Sequence, residues 1–241
     1  SGGGNFNFGP ITPAGVHAPS ATPDGRGGVI VIFNMNQARP TKGWDQLMSL
    51  PRRLTLSGED ELEMVPAGGV ESLRGAHERV STMTLPANQE VVLPRVAGNA
   101  IEIEASLQPS AASVIELNVF RSSDAEEITR ISFYRNRGFR DMETGRLGSA
   151  ISIDSSRSSM LADVLARPPE TANVQLAGNE PLRLRVFLDR SAVEVFANGR
   201  QCVAARVYPG RPDSVGVSLR SQGRDTVLQS LDAWTMNSIY K

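Results

Sequence analysis

Apolar and polar residues alternate along most of the chain from about residue 78 to its end. In the first such run the apolar positions, which glutamates and a serine separate, are Ile101, Ile103, Ala105 and Leu107. Further alternating or apolar runs occupy 115–119, 129–134, 182–188, 192–197, 200–208, 215–219 and 227–234. A period of two places one set of side chains on a core face and the other toward solvent. Many short strands at this spacing predict an all-β sandwich or barrel.

Turn signals join these strands. Asp189-Arg190-Ser191 lies between two of the apolar runs, and Asn198-Gly199 is a strong signal for a two-residue hairpin. For Asp189-Arg190-Ser191, turn formation is favoured over catalysis. We interpret Glu102 and Glu104 as solvated surface residues, because they alternate with apolar positions.

The first 65 residues follow a different pattern. Residues 1–28 are rich in Gly, Pro, Asn and Thr and predict a chain of turns with little regular structure. The apolar run 29–33 predicts a strand buried on both faces. Shorter strands are expected at 46–50, 53–56 and 61–65. These strands form a sheet fragment for which the sequence provides no closed core of its own.

Pro66-Ala67-Gly68-Gly69 interrupts the strand pattern, and residues 70–75 fit a single helical turn. We therefore divide the chain into a first unit at 1–65, a linker at 66–77 and a β-sandwich at 78–241. The one other helical candidate is Ser159–Ala166, which is too short to be stable alone.

Composition and charge argue against several classes of function, namely nucleic-acid binding, membrane insertion and cofactor binding. The net charge is −1, which gives no global field that would attract nucleic acid or an anionic membrane. No apolar run reaches the roughly 18 residues that a membrane helix needs. Cys202 is the one cysteine, so it forms no internal disulfide and is interpreted as a buried structural thiol. No cluster has metal-ligand spacing and no glycine-rich loop joins a strand to a helix, so we expect no cofactor.

Three segments resemble glycoside hydrolase family 32. The first is 40–52, with Trp44 before an apolar run that ends in Leu-Pro-Arg; the second is 65–74. The third and longest runs from Leu184 through Asp189-Arg190-Ser191 and Asn198-Gly199 to Met236, and is similar to the family's C-terminal sandwich signature. The resemblance implies the last part of a five-bladed β-propeller over 1–65, followed by a C-terminal β-sandwich.

The family's catalytic motifs are absent from this chain. The resemblance implies a nucleophilic Asp in Asn-Asp-Pro-Asn-Gly, a second Asp in Arg-Asp-Pro and an acid/base Glu in Glu-Cys, and none of these occurs here. We therefore assign no catalytic residue. The resemblance implies a partner, a separate N-terminal propeller chain that carries the catalytic Asp and Glu. Residues 1–65 should not fold without that chain, because a partial propeller exposes sheet faces and edges.

Three residues are candidates for contact with the substrate. His17 and Asn34 lie where the family often has aromatic residues, and each offers hydrogen bonds to a sugar hydroxyl. Trp44 could cover the apolar side of a sugar ring. Each has a structural alternative: His17 could stabilise a turn, Asn34 could end a strand, and Trp44 could pack at a blade edge.

The leading interpretation is the C-terminal chain of a β-fructofuranosidase that acts on sucrose or fructans by a retaining mechanism. The alternative is a non-catalytic carbohydrate-binding or oligomerisation module, and homo-oligomerisation is possible in either case. A third hypothesis, nucleophilic catalysis by Ser1, needs a geometry that the flexible start Ser-Gly-Gly-Gly does not hold. A secreted or periplasmic location is favoured.

Overall fold

The computed structural model of the chain describes residues 15–58, 61–108, 114–138, 140, 142, 145, 147–165 and 167–240. Within these ranges the chain forms antiparallel β-sheets and one short 3₁₀ helix, Val70–Leu73. The all-β prediction is therefore confirmed. No helix in this part of the chain is long and apolar enough to cross a membrane.

The first sheet is an antiparallel meander in the strand order β1-β2-β4-β5, and the two-residue strand β3 pairs with one end of β2. Its strands are β1 Val16–Pro23, β2 Val29–Met35, β3 Leu47–Met48, β4 Arg52–Leu56 and β5 Leu62–Pro66. Four antiparallel strands in this order are consistent with one blade of a β-propeller.

The strand β1 corrects the prediction that residues 1–28 form a chain of turns with little regular structure. Residues 1–14 lie outside the described ranges. β1 pairs with β2 at the edge of the first sheet, and its register shifts between His17 and Ser20. Pro19 and Pro23 are tolerated there because an edge strand does not need every N–H for the ladder. Pairing with an apolar neighbour thus overrides a turn-like composition.

The β-sandwich consists of two antiparallel sheets. The six-stranded sheet has the order β13-β12-β11-β10-β17-β8, and its strands are β8 Glu90–Ala97, β10 Val114–Arg121, β11 Ile128–Tyr134, β12 Ser149–Arg157, β13 Glu170–Val174 and β17 Gly216–Gln222. The seven-stranded sheet has the order β16-β15-β14-β9-β18-β6, with β7 paired to β18. Its strands are β6 Arg74–Val80, β7 Met83–Leu85, β9 Ala100–Gln108, β14 Leu182–Asp189, β15 Ala192–Ala197, β16 Gln201–Arg206 and β18 Thr226–Met236.

The core of the sandwich lies between these two sheets. Apolar side chains such as Ile103, Leu117 and Val186 from both sheets form one contiguous buried cluster. Each comes from an alternating run, as the period-two pattern predicts. The strands β15 and β16 are buried on both faces, because their opposite side chains face the first sheet.

The segment 66–77, interpreted as a linker, contains the 3₁₀ helix and the start of β6. β6 begins at Arg74 and pairs with β18 along the edge of the seven-stranded sheet. The predicted helical turn is therefore present over Val70–Leu73, and the sandwich sheet begins before residue 78. The division of the chain into domains stays a prediction.

Two further predictions are wrong. Ser159–Ala166 is not helical over its described residues, because its backbone donors bind elsewhere: Met160 N–H donates to Glu127 Oε1 (2.7 Å) and Leu165 N–H to the Ala38 carbonyl (2.8 Å). Glu102 is fully buried rather than solvated, because Arg74 and Arg185 cover it.

Candidate functional site

The first sheet brings two of the three candidate residues together. His17 on β1 and Asn34 on β2 are direct cross-strand partners, and Asn34 also pairs with Met48 on β3. Their sequence neighbours Val16, Phe33 and Met35 are buried against Ala204 of the sandwich. Side chains alternate along a strand, so His17 and Asn34 lie on the opposite face, which we call the far face of the first sheet.

His17 and Asn34 are both half-buried. The Nδ1 atom of His17 is buried and has no hydrogen-bond partner. The register shift that follows His17 places Ala18 in a left-handed conformation with a φ of 45°. Bulges of this kind re-aim side chains at the edge of a sheet. This arrangement can donate hydrogen bonds to, and accept them from, a polyhydroxylated ligand, although the binding role of both residues stays a prediction.

Trp44 is not on the strands that carry His17 and Asn34. It lies in the loop before β3 and contacts the sandwich. The guanidinium of Arg206 on β16 lies 4.8 Å from the indole centroid, and its Nη1 donates to the Asp45 carbonyl (2.5 Å). Trp44 remains 45% exposed. One part of the indole thus contacts Arg206, while the exposed part leaves room for a sugar ring, so both interpretations of Trp44 stay open.

A buried ion pair, which the sequence analysis did not find, links the first sheet to the sandwich. Arg52 on β4 donates from Nη2 to Glu194 Oε2 on β15 (2.9 Å), and both residues are almost fully buried. The second oxygen of Glu194 accepts from the Leu50 N–H (2.5 Å). Burial raises the pKa of Glu194, and the guanidinium of Arg52 opposes that rise. A signal was available, since Leu-Pro-Arg lies in the first of the three resemblance segments and Val193-Glu194-Val195 lies in the third.

Aromatic rings enclose this ion pair. The Arg52 guanidinium lies 4.9 Å from the centroid of Phe33 and 5.8 Å from that of Phe196. Cys202 belongs to the same apolar cluster as Phe196 and Met64, and burial raises the pKa of its thiol to about 12. A thiol with such a pKa carries almost no thiolate at neutral pH and is unreactive. The interpretation of Cys202 as a buried structural thiol is therefore confirmed.

Several acids of the described segments are bound in structural roles. Asp24 accepts from the backbone N–H groups of Arg26 and Gly28 and from Arg53, which lower its pKa to about 2. Glu102 is bound by Arg74 and Arg185. Within the described residues, no group of three or more His, Cys, Asp or Glu side chains could hold a metal ion.

A further buried acid, Glu127, stabilises two loops of the sandwich. Burial alone would raise the pKa of Glu127, but donors from Ser214, Met160, Gly210 and Arg211 outweigh it and lower the pKa. A carboxylate that is saturated with donors is stabilised in its charged form and is poorly suited to act as a general acid.

Comparison with curated proteins identifies relatives that are named as beta-fructofuranosidases and levanases. The chain is 30% identical over 234 residues to an acid beta-fructofuranosidase of Phaseolus vulgaris, a match that covers 83% of this chain and 35% of that protein. It is 26% identical over 207 residues to a levanase of Bacillus subtilis (strain 168), covering 83% of this chain and 29% of the levanase. The chain thus spans about a third of the length of these relatives.

Solved structures show the same fold. The chain superimposes on fructan 1-exohydrolase IIa from Cichorium intybus with a TM-score of 0.81 at 18% identity, over 93% of this chain and 48% of that one. The exo-inulinase from Aspergillus awamori gives a TM-score of 0.70 at 20% identity, over 92% and 43% of the two chains. The sequence model for the C-terminal region of glycosyl hydrolases family 32 matches residues 69–235. Since that match covers more than half of the 241 residues of this chain, the chain belongs to glycoside hydrolase family 32.

Proposed function

We propose that this chain is the C-terminal part of a β-fructofuranosidase, which hydrolyses or transfers terminal β-D-fructofuranosyl groups of sucrose or fructans with retention of configuration. The family, and relatives that bear the names of fructosyl-processing enzymes, support the substrate class. The chain itself supplies the sandwich and the sheet that fixes the sandwich to a propeller.

One observation carries this proposal most strongly: among the residues that the structure describes, one face of the first sheet packs on the sandwich and no other sheet covers the opposite face. Its inner face is fastened to the sandwich by the Arg52–Glu194 pair and by Phe33. Its far face presents Ile30, Ile32 and Met48, and Met48 is 57% exposed. Propeller blades stack face to face around a central channel, so a bare apolar face fits a blade whose neighbour lies on other sequence.

The reaction needs two carboxyl groups that this chain does not supply. Retaining glycosidases use a nucleophilic carboxylate and an acid/base carboxylic acid about 5–5.5 Å apart. Each buried acid of the described residues is bound to cations or backbone donors; these acids are Glu102, Glu116, Glu127, Glu170 and Glu194. We place the nucleophile and the acid/base on a separate N-terminal propeller chain, held without covalent bonds, that covers the far face of the first sheet.

In this proposal His17 and Asn34 contribute hydrogen bonds at the wall of the fructosyl site, and Trp44 contributes an apolar surface at its rim. Loss of one hydrogen bond to a bound sugar costs ~1 kcal/mol, or about fivefold to tenfold in affinity. In the assembled enzyme, Asn34→Ala should therefore raise KM for sucrose by about that factor. Ser20→Ala, an exposed change on the same edge strand β1, is the matched control and should leave KM unchanged.

The direct test is to purify the chain from its native source under non-denaturing conditions and identify what accompanies it. We expect a second polypeptide with a propeller sequence, and release of fructose from sucrose or a fructan by the pair only. Hydrolysis of sucrose by the isolated 241-residue chain would contradict the proposal. A native preparation that contains this chain alone and remains inactive would favour the alternative of a non-catalytic module.

A further inference from the structure

The outer face of the six-stranded sheet carries polar side chains in a continuous row. Ile131 and Phe133 on β11 belong to the sandwich core, so Ser132 between them lies on the outer face. Successive cross-strand partners extend this row over all six strands: Thr171, Ser152, Ser132, Glu116, Arg220 and Glu90. This face is the one turned away from the first sheet, which contacts the seven-stranded sheet through β15 and β16.

Three polar atoms on this face are buried and have no hydrogen-bond partner. One, the Nε atom of Arg130, lies 3.5 Å from a carboxylate oxygen of Glu116. The other two are the Ser132 hydroxyl and the Oδ1 atom of Asn118, on residues that are 1% and 2% exposed. The amide nitrogen of Asn118 is satisfied, because it donates to Ser218 Oγ (3.1 Å). Buried polar groups are nearly always bonded in folded proteins, so an unpaired hydroxyl and an unpaired amide oxygen on one face point to a missing polar partner.

A cleft of about 370 Å³ adjoins this row. Tyr134, Ala150, Ser152 and Thr171, which are paired side by side on β11, β12 and β13, line it from the sheet. Arg137 and Pro169 line it from the adjoining loops. A half-buried aromatic ring beside small hydroxylated residues offers one apolar surface and several hydrogen-bonding groups, which matches the two-sided chemistry of a sugar ring.

The charges on this face are balanced. The carboxylate of Glu116 lies 3.5 Å from Nε of Arg130 and 3.6 Å from Nη1 of Arg220. The carboxylate of Glu90 lies 2.8 Å from Nε of Arg121. Opposite charges this close leave no strong field of one sign. The row therefore fits a neutral ligand, and Arg137, the one charged side chain among the described residues that line the cleft, makes a bound anion the competing outcome of the test.

We propose that the cleft beside Tyr134 binds a neutral saccharide. One sugar ring lies against the Tyr134 ring, and its hydroxyls exchange hydrogen bonds with Ser152 and Thr171, which line the cleft beside it. No covalent step is involved. The site stands on the far side of the sandwich core from His17 and Asn34, and it does not depend on the fructosyl site proposed above. Its role is to hold a polymeric saccharide on the sandwich.

The test is native electrophoresis of the full chain through gels that contain inulin, levan or dextran, compared with a gel without polysaccharide. We expect retardation in at least one of these gels. Tyr134→Ala should raise the apparent dissociation constant at least about tenfold, since stacking and shape are lost together. Ser152→Ala, which removes only the hydroxyl, should weaken binding as well, and it keeps the test valid if Tyr134→Ala fails to fold.

Two control variants separate this site from other surfaces. Tyr240→Ala removes an 82% exposed tyrosine outside the cleft and should leave the retardation unchanged. Trp44→Ala, at the rim of the proposed fructosyl site, should leave it unchanged too. Retardation that Trp44→Ala removes and Tyr134→Ala preserves would overturn this proposal without touching the proposed enzymatic function. Absence of retardation in all three polysaccharides, or binding of inorganic phosphate alone beside Arg137, would also overturn it.

Discussion

The sandwich and the first sheet are stabilised in different ways. The two sandwich sheets enclose one contiguous apolar core, to which both contribute fully buried aliphatic side chains such as Leu117 and Val186. The first sheet has no second sheet of its own among the described residues, and its buried residues form two small clusters shared with β15 and β16. The sandwich is therefore a domain with its own core, while the first sheet depends on its neighbours for burial.

The contacts between the two regions differ from the core as well. The sandwich core is apolar, whereas the first sheet is fastened by the Arg52–Glu194 ion pair. An ion pair of this kind fixes one geometry, because each partner left alone would be an uncompensated buried charge. The comparison indicates that the sandwich supplies stability and that the ion pair supplies the position of the blade-like sheet.

The largest expected effect comes from breaking this ion pair. Arg52→Met leaves the Glu194 carboxylate buried without a cation and should lower the free energy of unfolding by ~3–5 kcal/mol. The measurement is urea unfolding followed by tryptophan fluorescence. The two tryptophans lie in different regions, Trp44 beside the first sheet and Trp234 on β18 of the sandwich. Variants that keep one tryptophan each should show the first sheet separating at lower urea than the sandwich.

The control for this prediction is Arg53→Met. Arg53 is the adjacent residue on β4, its side chain is 36% exposed, and it contacts Asp24 rather than the sandwich. Its replacement should leave the signals of Trp44 and Trp234 coincident. Equal effects of the two substitutions would show that the Arg52–Glu194 pair does not position the first sheet.

The next largest effect tests how closely the first sheet approaches the sandwich. A methyl group at Gly15 would overlap the carbonyl oxygen of Ala204 and lie 2.9 Å from the carboxyl carbon of Glu170. Gly15→Ala should therefore destabilise the chain by ~1–3 kcal/mol through overpacking. Gly178→Ala is the matched control, since a methyl group there meets nothing within 4 Å. Thermal unfolding of both variants measures the difference, and a neutral Gly15→Ala would mean that the two regions are less tightly packed than described.

A smaller, pH-dependent effect is expected within the sandwich. The pKa of Glu127 is lowered in the folded state, so its stabilising contribution is present above the ordinary value of 4.5 and is lost as the pH falls below it. Glu127→Gln should cost ~1–3 kcal/mol at pH 7, because an amide nitrogen replaces an acceptor that faces several donors. The variant should also lose less stability than the parent as the pH falls below 4.5, because it has no carboxylate that becomes protonated there.

The control for the pH dependence is Glu126→Gln, next in sequence, whose exposed carboxylate contacts Arg211 (2.5 Å). Its replacement should leave the acid sensitivity of the parent unchanged. If Glu127→Gln kept the full acid sensitivity, the lowered pKa of Glu127 would not be a source of stability.

The smallest expected effect concerns the reaction of the Cys202 thiol with a disulfide reagent, whose rate should be close to zero in the native chain. Cys202 is fully buried where β16 faces the first sheet, and its thiol pKa is about 12, so it should not react with a disulfide reagent in the native chain at pH 7. Arg52→Met should accelerate the reaction, because loosening the first sheet uncovers Cys202. Rapid labelling of the unmutated chain would contradict the described packing of the two regions.

The alternation of apolar and polar residues predicted most of the strands, because one buried face imposes a period of two. The hairpin at Asn198-Gly199 was equally readable: both residues have positive φ, 51° and 65°, as a tight turn between β15 and β16 requires. The resemblance added what periodicity does not, namely which known architecture these strands belong to.

Long-range contacts account for what the sequence did not reveal. Arg52 and Glu194 are 142 positions apart, and no local pattern pairs them. Glu102 follows the surface alternation of its strand, yet Arg74 and Arg185 from β6 and β14 cover it. The helix predicted at 159–166 fails for the same reason, since Glu127 and Ala38 bind its backbone donors from other parts of the fold.

The proposed assembly requires N-terminal propeller sequence to cover the far face of the first sheet. Peroxide oxidation of methionines, followed by peptide mass analysis, tests it directly. Met48 on the far face is 57% exposed, and Met160 in a sandwich loop is 63% exposed. We expect both methionines to oxidise in the isolated chain, and we expect Met48 but not Met160 to be protected in the native preparation. Oxidation of Met48 at the rate of Met160 in an active native preparation would contradict the proposed assembly.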